Sequence, residues 1–241
     1  MKYMGSKNRI AKEILPIILK DRKEDQWYVE PFVGGANMID KVEGNRIGND
    51  SNRYIISLIN HLINKGSLPN YVSENEYNIL KKNKENFPEY LVGFYGIFLT
   101  FGSKWFGTYA RNKRGTNYAI EGRKNLLNQI KRLEGVLFYA NSYNEIEIPD
   151  NSIIYCDPPY QNTAQYKDKF NHISFWQWCR EKTNEGHSVF ISEYNAPNDF
   201  QCIWAKELKT NLDASFMKKS TEKLFIYNPN QNETFNENLD F

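Results

Sequence analysis

Apolar positions along the chain follow two different periods, and the switches between them outline the elements. Ile10, Ile14, Ile17 and Ile18 recur at helical spacing behind Ser6-Lys7-Asn8, which predicts a helix from about residue 7, kinked or shortened at Pro16. Trp27-Tyr28-Val29-Glu30 reads as a strand cut by Pro31, followed by a turn at Gly34-Gly35-Ala36-Asn37 and a helix around residues 38–42. Arg46-Ile47-Gly48-Asn49-Asp50 is a second short strand that ends in an acid. Helical spacing returns at Ile56, Ile59 and Ile63, at Tyr77 and Leu80, over residues 125–133, and around Trp176 and Trp178. Further strands are predicted at 136–140, 152–156, 188–192 and 224–227. Strands alternating with helices define an α/β protein with a largely parallel sheet. Residues 56–121 break the alternation with a glycine, aromatic and basic stretch. Within it, Asn112-Lys113-Arg114-Gly115 reads as a hairpin tip between Tyr109 and Tyr118.

Composition narrows the class. A length of 241 residues suits one large domain or one domain with a smaller insertion, and 40% hydrophobic with 15% aromatic residues excludes global disorder. Three cysteines without metal-ligand spacing fit a reducing compartment and no disulfide framework or metal site. No apolar run approaches the ~18 residues of a membrane span, so a cytoplasmic protein without a membrane partner is expected. Net charge is only +2, but residues 102–132 hold eight bases against one acid, a local excess of +7. Such a stretch is the footprint of a polyanion-binding face. Its candidate contacts are Lys104, Arg111, Lys113 and Arg114, with Asn112 and Asn117 beside them; several are expected on phosphates, and Arg111 on a base edge.

The candidate chemistry lies at Asp157-Pro158-Pro159-Tyr160. Ser152-Ile153-Ile154-Tyr155-Cys156 is a short apolar run that reads as a buried strand, and two prolines force the chain out of the sheet directly after it. One carboxylate, one rigid backbone and one aromatic ring therefore arrive at the carboxyl edge of a sheet, where open α/β sheets bind ligands. The exocyclic amine of a base is a poor nucleophile because its lone pair is delocalised into the ring. A carboxylate and a proline carbonyl aimed at its N–H bonds would hold it and favour pyramidal nitrogen, while a tyrosine face stacks on the base. Cys156 would point to the opposite face of the sheet and is no nucleophile there. Upstream, Asp50 lies 20 residues after Glu30, across the glycine turn. That is the spacing at which such folds put a carboxylate on a ribose hydroxyl pair.

The order Tyr3-Met4-Gly5-Ser6-Lys7, Glu30-Pro31-Phe32-Val33-Gly34-Gly35, Asp50, then Asp157-Pro158-Pro159-Tyr160 resembles the Dam-like, D12-class DNA adenine-N6 methyltransferases of bacteria and phages. The likeness extends to Asn141-Ser142-Tyr143 and Glu222-Lys223-Leu224-Phe225. It implies a class I methyltransferase Rossmann-like sheet over residues 1–55 and 122–241. It also implies an inserted, mainly helical target-recognition domain over residues 56–121 carrying a β-hairpin. S-adenosyl-L-methionine is the implied cofactor and double-stranded DNA the implied partner. By position, Tyr3 and Lys7 would contact the cofactor, Phe32 and Gly34 would line its site, and Asp50 would bind its ribose. Asp157 would face both the cofactor's amino group and the adenine amine, Pro158 would offer its carbonyl to that amine, and Tyr160 would stack on the flipped base. Ala36 stands where many members have a glycine. Ala110 stands where GATC-reading members place an arginine, with Arg111 one residue displaced, so GATC specificity does not carry over. The tetrapeptide itself permits cytosine N4 or a guanine N2 in RNA as acceptor, and a non-catalytic DNA-binding protein on the same fold is the remaining alternative.

Overall fold

The structure is a computed structural model in which residues 1–111, 115–161, 170–210 and 218–232 are described. In chain order the elements are α1 (Ala11–Ile18), β1 (Tyr28–Glu30), β2 (Arg46–Asn49), α2 (Arg53–Ile63), α3 (Glu74–Lys82), α4 (Glu89–Phe98), α5 (Tyr118–Ile130), β3 (Leu137–Tyr139), β4 (Ile153–Cys156), α6 (His172–Asn184), β5 (Ser188–Glu193), β6 (Phe200–Thr210) and β7 (Lys218–Tyr227). Strands β2 and β3 pair in parallel, and the other five run in the order β1-β4-β5-β7-β6 as a mixed set, with β7 antiparallel to both of its neighbours. This is the α/β alternation of strands and helices that the sequence predicts, with the Rossmann-like character that the resemblance implies. Two compact units are distinguished, residues 1–12 with 32–146 and residues 13–31 with 147–241.

In the first unit β2 and β3 pair in parallel, Ile47 opposite Leu137 and Asn49 opposite Tyr139. Helix α2 buries Ile55, Ile56, Leu58, Ile59 and Leu62 along one stripe, as its periodicity requires. Helix α4 is buried from Val92 to Phe98 and meets α2 at Gly93, where an added Cβ would lie 2.2 Å from the Tyr54 carbonyl oxygen. Only a glycine lets the two backbones approach so closely. Helix α3 opens on a capping box, Ser73 and Glu76 satisfying each other's backbone N–H groups. The buried guanidinium of Arg46 donates to the carbonyls of Arg132 and Glu134, both at 2.8 Å, and so ties β2 to the chain leaving α5.

In the second unit β4 is buried at every position and runs parallel to β1 and β5. A strand covered on both faces reads as a continuous apolar run, which Ile153-Ile154-Tyr155-Cys156 supplies. Arg180 on α6 grips Asp199 with two hydrogen bonds of 2.5 and 2.9 Å at the entry to β6.

Four expectations need correction. Residues 38–42 do not form a helix; the chain makes a single 3-10 turn, Ile39–Lys41, and returns directly to β2. Residues 7–9 are likewise a 3-10 turn, capped by Ser6, with α1 beginning at Ala11 and continuing through Pro16 to Ile18. Pro16 is exposed, so its ring lies on the open face of the helix and costs no core packing. Helix α5 starts at Tyr118, not near 125, because Asn117 accepts from the N–H groups of Ala119 and Ile120. Tyr118 is therefore no hairpin arm. Tyr109 instead bridges Thr100, flanked by Phe101 N–H to Thr108 O (2.9 Å) and Ala110 N–H to Leu99 O (2.8 Å). The expected tip residues Asn112, Lys113 and Arg114 lie outside the described residues.

Gly93→Ala is expected to lower folding stability by about 1–3 kcal/mol through overpacking, read as a shift in urea-denaturation midpoint. An unshifted midpoint would show that α2 and α4 separate at no cost.

Candidate active site

One part of the site belongs to the first unit. Strand β2 ends at Asn49, and the next residue, Asp50, turns its carboxylate onto two loops: Oδ2 accepts from Gly34 N–H at 2.9 Å and Oδ1 from Asn52 N–H at 2.8 Å. Gly34 takes a left-handed φ of +44°, and an added Cβ there would sit 2.8 Å from the Tyr3 ring. At Gly35 the same test gives 2.6 Å to the Tyr3 Cβ, so the glycines are required by the close approach of Tyr3. Phe32 stacks on Tyr143 with ring centroids 5.3 Å apart. The loop carrying Tyr143 is held by Asn49, which donates to Asn141 O at 3.0 Å and accepts from its N–H at 3.1 Å. Lys7 is buried in the N-terminal 3-10 turn.

These residues fit an adenosine-bearing ligand. Each Asp50 oxygen holds one backbone N–H and keeps a further lone pair, so the two together match a vicinal pair of hydroxyls. Burial lifts the Asp50 carboxyl above its ordinary range, opposed by the Asn52 and Gly34 N–H groups. Further donors would strengthen that opposition. Phe32 and Tyr143 supply aromatic faces, and the glycine turn lets backbone approach the ligand.

The other part belongs to the second unit. Strand β4 delivers Asp157, half-buried, followed by buried Pro158 and Tyr160. The Tyr160 hydroxyl donates to Glu222 on β7 at 2.8 Å, and its ring meets Tyr194 edge-on with centroids 4.6 Å apart. Burial, then the charges of Asp157 and Glu222, push the Tyr160 phenol well above its ordinary range, so it remains a neutral donor. Glu193, the last residue of β5, is 1% exposed. Its carboxylate accepts from Gln161 N–H at 2.6 Å and from Tyr194 N–H. Burial raises its pKa, three backbone N–H groups lower it, and the Asp157 charge raises it again. The loop leaving β4 is thus clamped by carboxylates on the two strands beyond it. The clamp creates a negative field beside Asp157, suited to N–H donors and to nitrogen that gains positive charge.

The structure sets Tyr3 and Asp50 each against Gly34, with Phe32 entering that turn, and it places Asp157, Pro158 and Tyr160 on one exit loop. Tyr160 is pinned as a wall, hydroxyl and edge both engaged. Lys104 is exposed, and Arg111 pairs with Glu74 at 2.7 Å between two solvent-facing side chains. Asn117 is the cap of α5, and its Nδ2 donates to Asn70 O at 2.9 Å. Glu193 and Tyr143 were not singled out as site residues from sequence. The signal for Glu193 was its place at the end of a predicted strand, and for Tyr143 its place just after another. Among the described residues no cluster able to hold a metal ion is present, and no helix is long and apolar enough to cross a membrane.

Comparison with known proteins agrees with the motifs. Residues 3–104 match the family model of the D12 class N6 adenine-specific DNA methyltransferases, and the resemblance read from the motifs is borne out over that stretch. The chain is 22% identical over 209 residues to the type II methyltransferase M.FokI of Planomicrobium okeanokoites, covering 75% of this chain and 32% of that protein. It is 26% identical over 240 residues to the modification methylase StsI of Streptococcus sanguinis, covering 88% of this chain and 36% of that protein. The chain therefore spans about a third of the length of these relatives. Among solved structures it is similar to SMU.472 complexed with SAH, with a TM-score of 0.36 and 11% identity over 92% of this chain and 52% of that one.

Glu193→Gln keeps the volume but turns an NH2 toward at least one of the backbone N–H groups from which the carboxylate accepts. A stability loss of about 1–3 kcal/mol is expected for the unsatisfied donor, measured by thermal or urea unfolding. A variant as stable as the parent would show that the loop does not depend on this clamp.

Proposed function

We propose that the chain is a DNA methyltransferase that transfers a methyl group from S-adenosyl-L-methionine to adenine N6 in a short duplex site, after the base leaves the stack. The observation that carries this reading is the Asp157-Pro158-Pro159-Tyr160 loop, held at the end of a fully buried strand by Glu193 and Glu222; the D12-class match supports it. When bound, the cofactor supplies an electrophilic methyl group on a positively charged sulfonium. In this reading Asp50 binds the ribose hydroxyls, and Tyr3, Lys7, Phe32 and Gly34 surround the rest of the cofactor. Asp157 and the Pro158 carbonyl accept the two amine hydrogens, which localises the nitrogen lone pair toward the methyl group. Tyr160 forms an aromatic wall for the base. No strong base is required, because orientation of a nucleophile and electrophile already held together supplies much of the rate.

Residues 56–121 are proposed as the DNA-recognition segment and the remainder as the catalytic part. Lys104, Asn112, Lys113, Arg114 and Asn117 are proposed to contact DNA with Arg111. The Arg111–Glu74 pair is exposed on both sides and is worth at most about 1 kcal/mol, so Arg111 is free to exchange it for DNA.

Nucleoside mass spectrometry of unmethylated DNA, incubated with the protein and S-adenosylmethionine, tests the reaction. N6-methyladenine is expected; N4-methylcytosine would move the same chemistry to another base, and cofactor binding without any methylated base would overturn the enzymatic reading. Asp157→Ala is expected to reduce transfer by about 10²-fold or more with an unchanged circular dichroism spectrum, and retained turnover would sink the mechanism. Arg111→Ala is expected to relax discrimination at one base pair, a loss of about 1–3 kcal/mol in competition binding. A uniform loss over all sequences would make Arg111 a phosphate contact instead.

A further inference from the structure

The glycine turn after β1 holds a conformation that its own residues do not favour. Ala36 has φ +52°, in the left-handed region where an L-residue's Cβ crowds the following carbonyl. Within the turn it has one restraint, its N–H donating to Val33 O at 2.8 Å. The other restraint comes from α5. Gln129, 2% exposed, directs its amide nitrogen at Gly35 O (3.0 Å) and Ala36 O (2.8 Å), with Asn37 Oδ1 at 3.5 Å; its own Oε1 accepts from the Met1 amine at 2.5 Å. The two carbonyls belong to the peptide planes on either side of Ala36. Fixing both planes fixes φ and ψ between them, and glutamine is seldom so buried without such employment.

We propose that Gln129 is a positioning residue of the cofactor site. It holds the peptide planes flanking Ala36 in the left-handed turn, so that Gly34 presents its N–H to Asp50 and the carboxylate is aimed at the ligand. The inference rests on the cofactor reading above and adds to it a residue from a distant helix, outside the stretch matched to the D12 class. Asn117, the cap at the other end of the same helix, lies within the basic stretch of residues 102–132.

The test is calorimetric titration of the purified chain with S-adenosylhomocysteine, without DNA and without turnover. Gln129→Met matches the side chain in shape and removes both donors; binding about tenfold weaker is expected. Ala36→Gly added to that variant should recover about half or more of the lost free energy, because glycine adopts the left-handed region without strain. Ala36→Gly alone should stay within about twofold of the parent. If Gln129→Met does not fold, Gln129→Asn keeps the amide but draws it back by one methylene, and the same tenfold loss is expected. Parent-like affinity in the folded variant, or a lower melting temperature with unchanged affinity, would overturn the proposal, as would failure of Ala36→Gly to rescue. A parent protein that binds no S-adenosylhomocysteine would instead overturn the cofactor reading, and this inference with it.

Discussion

Acids finish four of the five parallel strands among the described residues, and the loops must be built to accept them. Strand β1 ends on Glu30, β2 is followed by Asp50, β4 by Asp157, and β5 ends on Glu193. A carboxylate at such a depth persists only where donors replace lost water. Glu30 takes the Tyr28 hydroxyl, Asp50 the N–H groups of Gly34 and Asn52, and Glu193 those of Gln161 and Tyr194. In the last two cases the donors are loop backbone, so satisfying the acid also shapes the loop. The requirement to solvate these charges from within is what fixes the loops around the strand ends.

A second layer of polar side chains acts at longer range in the sequence. Arg46, Asn49 and Gln129 each reach a backbone carbonyl more than 80 residues away. Each carries a charged or amide head on a stem that packs within the core. Such contacts fix loop conformation more tightly than apolar packing does, because hydrogen bonds are directional.

The strands and the chemistry at their ends were legible because each depends on local pattern. Apolar runs bounded by Pro31 or Pro158 announce themselves, and so does an acid directly after such a run. Strand β6 was missed because it is an edge strand, exposed along much of its length and broken by a bulge between Cys202 and Trp204, so alternation never develops. The helix expected at residues 38–42 failed because so short a stretch carries too little periodicity to tell a helix from one buried turn. The clamping role of Glu193 and the reach of Gln129 were invisible for another reason: both depend on partners remote in sequence, and neither residue type advertises a backbone acceptor or donor role. Asn117 illustrates the converse, an asparagine in a basic segment whose side-chain oxygen also caps a helix.

The burial of β4 has a consequence for how the sheet finds its alignment. Every residue from Ile153 to Cys156 is covered, and the next residue is a carboxylate. Sliding this strand by one position toward its amino end would pull Asp157 into the ladder between β1 and β5, among backbone groups already committed to one another. Sliding it the other way would strip Ile153 of its partners Tyr28 and Ser188. Registers that a wholly apolar strand would tolerate are therefore excluded. The acid proposed to hold the reacting amine doubles as a stop that tells the folding chain where its central strand must end.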